Sequence, residues 1–545
     1  MSAPPHARWA RVRAAVKTDA RARKRVFVLA ALLAAAFCIC LPVNDVYGRG
    51  LLPPYRPTAA LILGFLLGCP AFYVLLTALR GRAARFPDAQ AGPAGLRPAW
   101  RRWLCYGAAP VLACVLSARA LYPGIFTTDS LSQLRQVMGL EPLYDWHPVG
   151  HTLLFYGIPY SLTGALFSVT LTQLALYAFT WAFLFSELEG MGLRRRYLLP
   201  VNIAVAFIPT NLFLSIALWK DIPFACASVL ATALLIRVHR SGGQALHRRP
   251  VAVGLGVTLG LMAVLRHNGP FVVPFLLLAL LLVHRRHLRY AVLSAGVALA
   301  LLAGVRVVGF GVLHAKPNNP AVSFRWFTQI AGGILTQDGQ ITDGEKAVME
   351  KILPLADWRA RYNPYSNDPL MSTPGVRVWD NLEAHRGEMA HAAAAMALRN
   401  PVKALRAEMD ITEVTWRILP LGPVNVTSYQ NRLDDFDLQI RETPRFLMLK
   451  NAMETVYQDP LWQVLFCRLG LYFFLTLCLL TLSLARRDGG GWLCFLPVLL
   501  NVASLWISMP SQDYRYAYSL VFAFPLLALW SFAPVIPHRK GKKKG

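Results

Sequence analysis

Long apolar runs recur along this chain of 545 residues. Each run is long enough to cross the hydrocarbon core of a bilayer, which is about 30 Å thick. Charged residues make up only 16% of the chain, whereas soluble domains contain about 25%. The runs therefore predict an all-α polytopic membrane protein, because a helix satisfies its own backbone hydrogen bonds in lipid. The predicted spans number about twelve: residues 26–43, 58–79, 103–121, 165–185, 197–217, 221–238, 250–265, 270–284, 290–313, 461–485, 492–508 and 516–535.

The basic residues indicate the orientation of these spans. The formal net charge is +27, which in a soluble protein would suggest a nucleic-acid partner. Here 31 of the 56 Lys and Arg fall in one alternating set of loops and tails. The positive-inside rule places this set, and with it both termini, in the cytoplasm of a cell whose plasma membrane holds the chain. We therefore expect no nucleic-acid partner. The basic set comprises residues 1–25, 80–102, 194–196, 237–249, 284–289, 485–491 and 538–545.

One further stretch, "HPVGHTLLFYGIPYSLTGALF" (147–167), is apolar enough to suggest a thirteenth span. Counting it would invert every later basic loop. Gly150, Gly157, Pro159 and Gly164 also make it a poor spanning helix. We interpret it as an interfacial or re-entrant segment on the outer face.

The spans and loops predict five parts. A basic tail (1–25) precedes a transmembrane module (26–313), whose first outer loop is 122–164. An extracytoplasmic domain of mixed or helical structure (314–460) follows. The chain ends with C-terminal transmembrane helices (461–535) and a second basic tail (536–545).

The first outer loop carries the polar stretch "YPGIFTTDS". Asp129 precedes an amphipathic helix predicted over 130–138, and a carboxylate in a first helical turn is favoured by the helix dipole. The residue is a candidate general base, and simple helix capping is the alternative. "DWHP" (145–148) adds Asp145 and His147 to the same loop, although a lone histidine is more often a packing or surface residue.

Other outer loops carry charges at span ends. "LWKD" places Lys220 beside Asp221, and Arg266 ends another span. For these two cations the alternative to a functional role is snorkelling to the interface. "SQDYRYAYSL" places Asp513, Tyr514 and Arg515 before the last span, where an aromatic belt explains the tyrosines alone. Because charges at the membrane rim are costly and usually functional, the loops together predict one site.

The stretches "YPGIFTTDS", "DWHP", "LWKD" and "DYRY" resemble those of the GT-C superfamily of polytopic membrane glycosyltransferases, in particular bacterial members of unassigned substrate. The resemblance implies a GT-C-like fold and an enzyme that moves a sugar from a polyprenyl-phosphate carrier to a cell-envelope glycan, lipid or protein outside the membrane. It matches Asp129 to the acidic residue of the first outer loop and segment 147–167 to juxtamembrane helices.

On this interpretation Asp129 is the catalytic base of an inverting transfer. Lys220, Arg266 and Arg515 are predicted to bind the donor phosphate. The predicted substrate-binding residues are Asp145, His147, Asp221, Asp513 and Tyr514. No cofactor is expected, and a metal is not indicated, because the first acidic site is one Asp rather than a pair.

Two other classes remain open. A multi-pass transporter or flippase of lipids or glycans should carry polar residues near mid-bilayer and discontinuous helices in matched halves. The chain has few mid-span charges and no visible inverted halves. A non-catalytic assembly partner would leave Asp129, Lys220 and Arg515 unexplained.

Overall fold

The computed structural model describes residues 20–40, 55–83, 99–418, 444–485 and 490–532. Within these ranges all regular secondary structure is helical, which confirms the predicted all-α class. Of the two predicted basic tails, residues 1–19 and 536–545 lie outside the described residues.

The helices up to the middle of the chain include short 3₁₀ and π turns that join longer α-helices. They are Ala20–Cys40, Tyr55–Ala83, Ala99–Ala120, Thr128–Val137, Val149–His151, Thr152–Gly157 (π), Ile158–Thr163, Leu166–Gly190, Arg195–Ala206, Pro209–Ile216, Asp221–Arg240, Gln244–His247 (3₁₀), Arg249–Leu265, Gly269–Val283, Arg285–His287 (3₁₀), Leu288–Arg306 and Val307–Val312 (π).

The remaining helices begin with the segment predicted to be extracytoplasmic. They are Pro320–Phe324 (3₁₀), Arg325–Thr336, Asp343–Ile352, Leu355–Arg361, Asp368–Met371, Val378–Ala384, Arg386–Arg399, Pro401–Trp416, Pro444–Gln458, Pro460–Trp462, Gln463–Cys467 (π), Leu469–Ala485, Gly491–Phe495 (3₁₀), Leu496–Ser508, Tyr514–Ala517 (3₁₀) and Tyr518–Phe532.

Several of these helices are long and apolar enough to cross a membrane, which indicates a membrane protein. A bent pair, Arg195–Ala206 with Pro209–Ile216, adds one more candidate if its two arms, 65° apart, form one span. Each of the twelve predicted spans overlaps a helix of the structure, but the count of twelve crossings stays a prediction. The seven candidates that the described residues contain are Leu61–Gly81, Ala99–Ala120, Leu166–Gly190, Asp221–Arg240, Arg285–Val312, Gly491–Ser508 and Tyr514–Phe532.

Within the segment predicted to be interfacial, residues 149–163 form one continuous helical run with a π turn at its centre. Three short helical pieces run from Val149 to Thr163, and the last ends at Gly164 in the left-handed conformation, with φ at 67°. Gly150 packs against the backbone of Val264, whose carbonyl oxygen would lie 2.5 Å from an added Cβ. This glycine therefore lets the segment lie directly against a neighbouring helix.

The helix Asp221–Arg240 forms the centre of the bundle. Buried residues make up 94% of its most apolar window, and it packs against Leu166–Gly190, Arg249–Leu265 and Tyr518–Phe532. Its small residues, in "ACASVLATA", allow this close approach on all sides. A helix of 20 residues is about 30 Å long, close to the thickness of the hydrocarbon core. Its two ends therefore lie one membrane thickness apart.

A second hydrophobic core lies within residues 321–407 and is built by the short helices that follow Pro320. The described part of the predicted extracytoplasmic segment is thus helical rather than mixed. The helix Pro401–Trp416 leads from this unit back to the bundle, where it packs against Leu469–Ala485. The helix Pro444–Gln458 packs against Ala99–Ala120 and Pro209–Ile216, so this part of the 314–460 segment belongs with the bundle.

Candidate active site

Asp129 lies in the first turn of the helix Thr128–Val137, shortly after a sharp turn at Gly124. Gly124 has a φ of 148°, and a Cβ there would lie 2.4 Å from Thr170 Oγ1. Only glycine fits this turn. The N-cap position belongs to Thr127, and the Asp129 carboxylate instead faces Arg515.

Two hydrogen bonds tie the start of this helix to the loop before Asp221. Ser130 Oγ donates to the carbonyl oxygen of Leu218 at 2.9 Å, and Trp219 Nε1 donates to Thr127 Oγ1 at 3.0 Å. All four residues are buried. The position of Asp129 is therefore coupled to that of the "LWKD" loop.

Arg515 is the hub of the site. Its Nη1 lies 3.4 Å from an oxygen of Asp129, and its Nε lies 3.0 Å from Asp513 and 3.7 Å from Asp221. The guanidinium also stacks over the ring of Trp219, with its carbon 4.4 Å from the ring centroid. Three carboxylates from three loops thus meet at one arginine, as the rim charges predicted.

Arg266 holds the other side of Asp221. Its Nη1 lies 3.1 Å from Asp221 Oδ1 and donates to the carbonyl oxygen of Tyr516 at 2.8 Å. The side chains of Arg266 and Asp221 are 9% and 1% exposed, so Arg266 does not snorkel to the surface. Asp221 therefore lies between two guanidinium groups, inside the protein.

Lys220 differs from the two arginines. Its ammonium lies 3.2 Å from Nδ1 of His147, and no carboxylate of the described residues lies within ion-pairing distance of it. Burial, followed by the charge of Lys220, lowers the pKa of His147 to about 3, so the neutral ring accepts the hydrogen bond. Burial also lowers the pKa of Lys220, although Asp129 and Asp221 act in the opposite direction.

The carboxylates of Asp129 and Asp513 have pKa values displaced in opposite directions. Burial alone would raise the pKa of Asp129, but nearby positive charge, mainly that of Arg515, outweighs it and lowers the value to about 2. Burial raises the pKa of Asp513 to about 6, against the attraction of Arg515. Asp129 retains 37% of its side-chain exposure and Asp513 only 9%, so Asp129 is the carboxylate that faces open space.

Asp145 lies beside this cluster and has a structural partner. Its Oδ1 accepts from the backbone nitrogen of Val149 at 2.9 Å, at the start of the helical run 149–163, and its backbone nitrogen donates to the carbonyl oxygen of Lys316 at 2.9 Å. Burial raises the pKa of Asp145, while the charge of His267 opposes the change. His267 in turn contacts the carbonyl oxygen of Trp146 at 3.3 Å.

Tyr514 is the predicted site residue that the structure does not bring into the cluster. Its side chain is 1% exposed, and its hydroxyl donates to the carbonyl oxygen of Phe466 at 3.0 Å. It therefore packs within the bundle rather than facing a substrate.

Two polar residues near Asp129 were missed by the sequence analysis. Gln133 donates to the backbone oxygen of Asp129 at 3.1 Å, and its Oε1 lies 2.7 Å from His151 Nδ1. The signal was available, because His151 follows His147 by one helical turn and Gln133 follows Asp129 by the same spacing.

Two charged residues of the 321–407 unit also reach the site. Burial raises the pKa of Asp368; Arg325 opposes this and Asp129 adds to it, so all three lie within electrostatic reach. The unit is held here by the bond from the nitrogen of Asn367 to the oxygen of Pro510 at 2.8 Å. No sequence pattern pointed to these residues, since they lie in a long segment without recognisable motifs.

The acidic residues of the site are arranged around cations. In the part of the chain that the structure describes, no group of three or more His, Cys, Asp or Glu side chains has the arrangement of a metal site. Three carboxylates surround Arg515, and one of them, Asp221, also pairs with Arg266.

A family model described as a family of unknown function (DUF6020) matches residues 143–544, which is most of the chain. The chain belongs to the DUF6020 family. The matched region includes Lys220, Arg266 and Arg515 and begins after Asp129. No curated protein and no solved structure matches the chain.

Proposed function

We propose that the chain is a membrane glycosyltransferase that moves a sugar from a polyprenyl-phosphate carrier to a cell-envelope acceptor on the outer face. One observation carries the proposal: Asp129, a carboxylate with 37% side-chain exposure, lies within electrostatic reach of Lys220 at the end of a membrane-length helix, and no carboxylate of the described residues is within ion-pairing distance of that ammonium. A base or orienting group beside a cation at the lipid rim is what transfer from a lipid phosphate requires. The proposal includes twelve spans, a GT-C-like arrangement and cytoplasmic termini.

In the proposed reaction the acceptor hydroxyl donates a hydrogen bond to Asp129. The oxygen of the acceptor hydroxyl attacks the anomeric carbon of the sugar while the bond from that carbon to the phosphate oxygen breaks. The configuration at the anomeric carbon inverts. The electron pair leaves with the phosphate, whose charge Lys220 neutralises. The pKa of Asp129 is about 2, so its carboxylate can orient the acceptor hydroxyl but is too weak a base to retain the hydroxyl proton. That proton passes on to the departing phosphate or to water.

The two arginines then have a role that differs from the predicted one. Arg515 and Arg266 are engaged by carboxylates and by the carbonyl oxygen of Tyr516, so Lys220 is the cation available to a phosphate. Arg515 sets the position and charge of Asp129.

One observation favours the alternative, a transporter or flippase. The pair Arg195–Ala206 and Pro209–Ile216 is bent by 65°, and discontinuous helices of this kind are typical of transporters. The break carries no charged side chain, because residues 207–210 read Phe, Ile, Pro and Thr. The ionic cluster lies at helix ends, which agrees better with a reaction at the membrane surface.

A comparison of cell-envelope glycans by mass spectrometry tests the proposal. Cells without the gene should lack one glycosylated product, and Asp129→Asn should fail to restore it. Glu141→Gln is the matched control, because Glu141 pairs with Arg135 in the same loop and is 42% exposed. An unchanged set of glycans in cells without the gene would contradict the proposal. Restoration by Asp129→Asn would instead favour transport of a finished glycan.

A further inference from the structure

The far end of the helix Asp221–Arg240 borders an open cavity of about 590 Å³. It lies among the basic loops, one helix length from the candidate active site. Its size suits a small ligand or a lipid headgroup. The residues that line it are Ala99, Arg102, Glu187, Gly190, Met191, Arg237, Arg240, Ser241, Gln244, Ala245 and Arg248.

Four arginines and one acid line this cavity, so its charge is unbalanced. Arg237 is the paired arginine: its Nε donates to Glu187 Oε2 at 3.1 Å, and its Nη2 also contacts the Glu187 carboxylate. Arg102, Arg240 and Arg248 have no second acid among the lining residues. Three positive charges therefore surround a space that the described residues leave open.

The donors of two arginines lack partners. Nε and Nη1 of Arg102, and Nη1 of Arg240, are buried and make no hydrogen bond within the described residues. A buried donor left without a hydrogen bond destabilises the protein, and more so when the group is charged. An oxyanion in the cavity would satisfy these donors, and the planar guanidinium fork matches phosphate oxygens.

We infer that this arginine cavity binds a phosphate group, supplied by an anionic phospholipid headgroup or by a soluble phosphate compound. The surroundings favour the lipid: Trp100, Trp103 and Leu104 are exposed on the helix that carries Arg102, and tryptophans concentrate at membrane interfaces. Basic pockets between membrane helices bind anionic headgroups in the same way. The inference does not depend on the proposed reaction at the other end of the helix.

Binding to the purified full chain tests the inference. Native mass spectrometry measures how much phosphatidylglycerol the protein retains in comparison with phosphatidylcholine. A thermal-shift titration with inorganic pyrophosphate, at matched ionic strength, tests the soluble source. Whichever of the two probes binds the wild-type protein, Arg102→Gln with Arg240→Gln should weaken its binding about tenfold or more, because charged hydrogen bonds are lost. The matched control, Arg285→Gln with Arg286→Gln, removes the same charge from exposed positions and should change binding less than about twofold.

A second variant keeps every charge. An added Cβ at Gly190 would lie 3.3 Å from Nη1 of Arg102, so Gly190→Ala should shift this guanidinium by a few tenths of an ångström and weaken binding without changing the net charge. Selective retention of phosphatidylglycerol supports a lipid source, and a shift with pyrophosphate alone supports a soluble one. Binding of neither probe, or equal binding by the arginine variant and its control, would overturn the inference.

Discussion

Similar numbers of cations lie at the two ends of the helix Asp221–Arg240, but the two ends differ in how many of these cations have a carboxylate partner. At the Asp221 end, three carboxylates hold the guanidinium of Arg515, and Arg266 pairs with Asp221. At the Arg240 end, Glu187 serves one arginine of four. Matched buried charges fix a geometry, whereas unmatched ones need a ligand. The Asp221 end therefore has most of its cations paired by the protein's own carboxylates, whereas the arginine cavity at the other end has most of its cations unpaired.

The largest expected effect is the difference in cysteine labelling between the two sides of the membrane, which should be all-or-none. The account places the 321–407 unit outside and the arginine cavity inside. In a cysteine-free background, Asp343→Cys should react with an impermeant thiol reagent in intact cells, and Arg286→Cys only after permeabilisation. Both positions are exposed, whereas Asn367, in the same outer unit, is buried and unsuitable. The reverse labelling would place the candidate active site on the wrong face.

The second effect compares the stability of the two ends. Asp221→Asn leaves two buried arginines short of a charge, and breaking a buried ion pair costs about 3 to 5 kcal/mol. Glu187→Gln should cost about 1 kcal/mol, because its partner Arg237 is 37% exposed. Thermal unfolding of the detergent-purified variants measures the difference. Equal losses would show that the Asp221 end is no more rigid than the Arg240 end.

The third effect is catalytic. Asp129→Asn keeps the shape of the side chain and removes its charge, so the protein should insert normally while transfer falls roughly a hundredfold or more. The measurement is turnover of purified protein with a polyprenyl-phosphate sugar, beside Glu141→Gln as the control. Wild-type turnover in the Asp129 variant would show that Asp129 has no catalytic role and serves only as the ion-pair partner of Arg515.

The smallest effect is a dependence of stability on pH at Asp513. Its pKa in the folded protein is about 6, above the ordinary value, so its protonated form favours folding and this contribution is lost as the pH rises through about 6. Asp129, with a pKa of about 2, does not titrate in this range. Between about pH 4.5 and pH 7.5, wild type should lose about 1 to 2 kcal/mol relative to Asp513→Asn. A difference that stays constant with pH would contradict the raised pKa.

Much of the fold could be predicted because each apolar run carries its own signal. The "LWKD" and "DYRY" charges converge as expected, since rim charges are too costly to leave scattered. Which cation pairs with which carboxylate could not be predicted. Whether Arg515 or Lys220 has a carboxylate partner depends on how the helices are rotated relative to one another. Tyr514 is an example, because it lies next to Arg515 in the 3₁₀ turn Tyr514–Ala517 and yet its hydroxyl donates to Phe466 within the bundle.

The residues contributed by the 321–407 unit were not predictable either. Arg325 and Asp368 reach the site through tertiary folding of short helices, for which the sequence offers no rim signal. The same holds for the arginine cavity, because Arg102, Glu187 and Arg240 come together only in the folded bundle.

The central claim is that Lys220 is the cation that receives the phosphate of the donor. The most direct measurement is a cryo-electron microscopy structure of the full chain in nanodiscs with an added polyprenyl phosphate. The account predicts phosphate density about 3 Å from the Lys220 ammonium, opposite the exposed carboxylate of Asp129, and loss of that density in Lys220→Ala. Phosphate density away from Lys220, or density unchanged in Lys220→Ala, would contradict it.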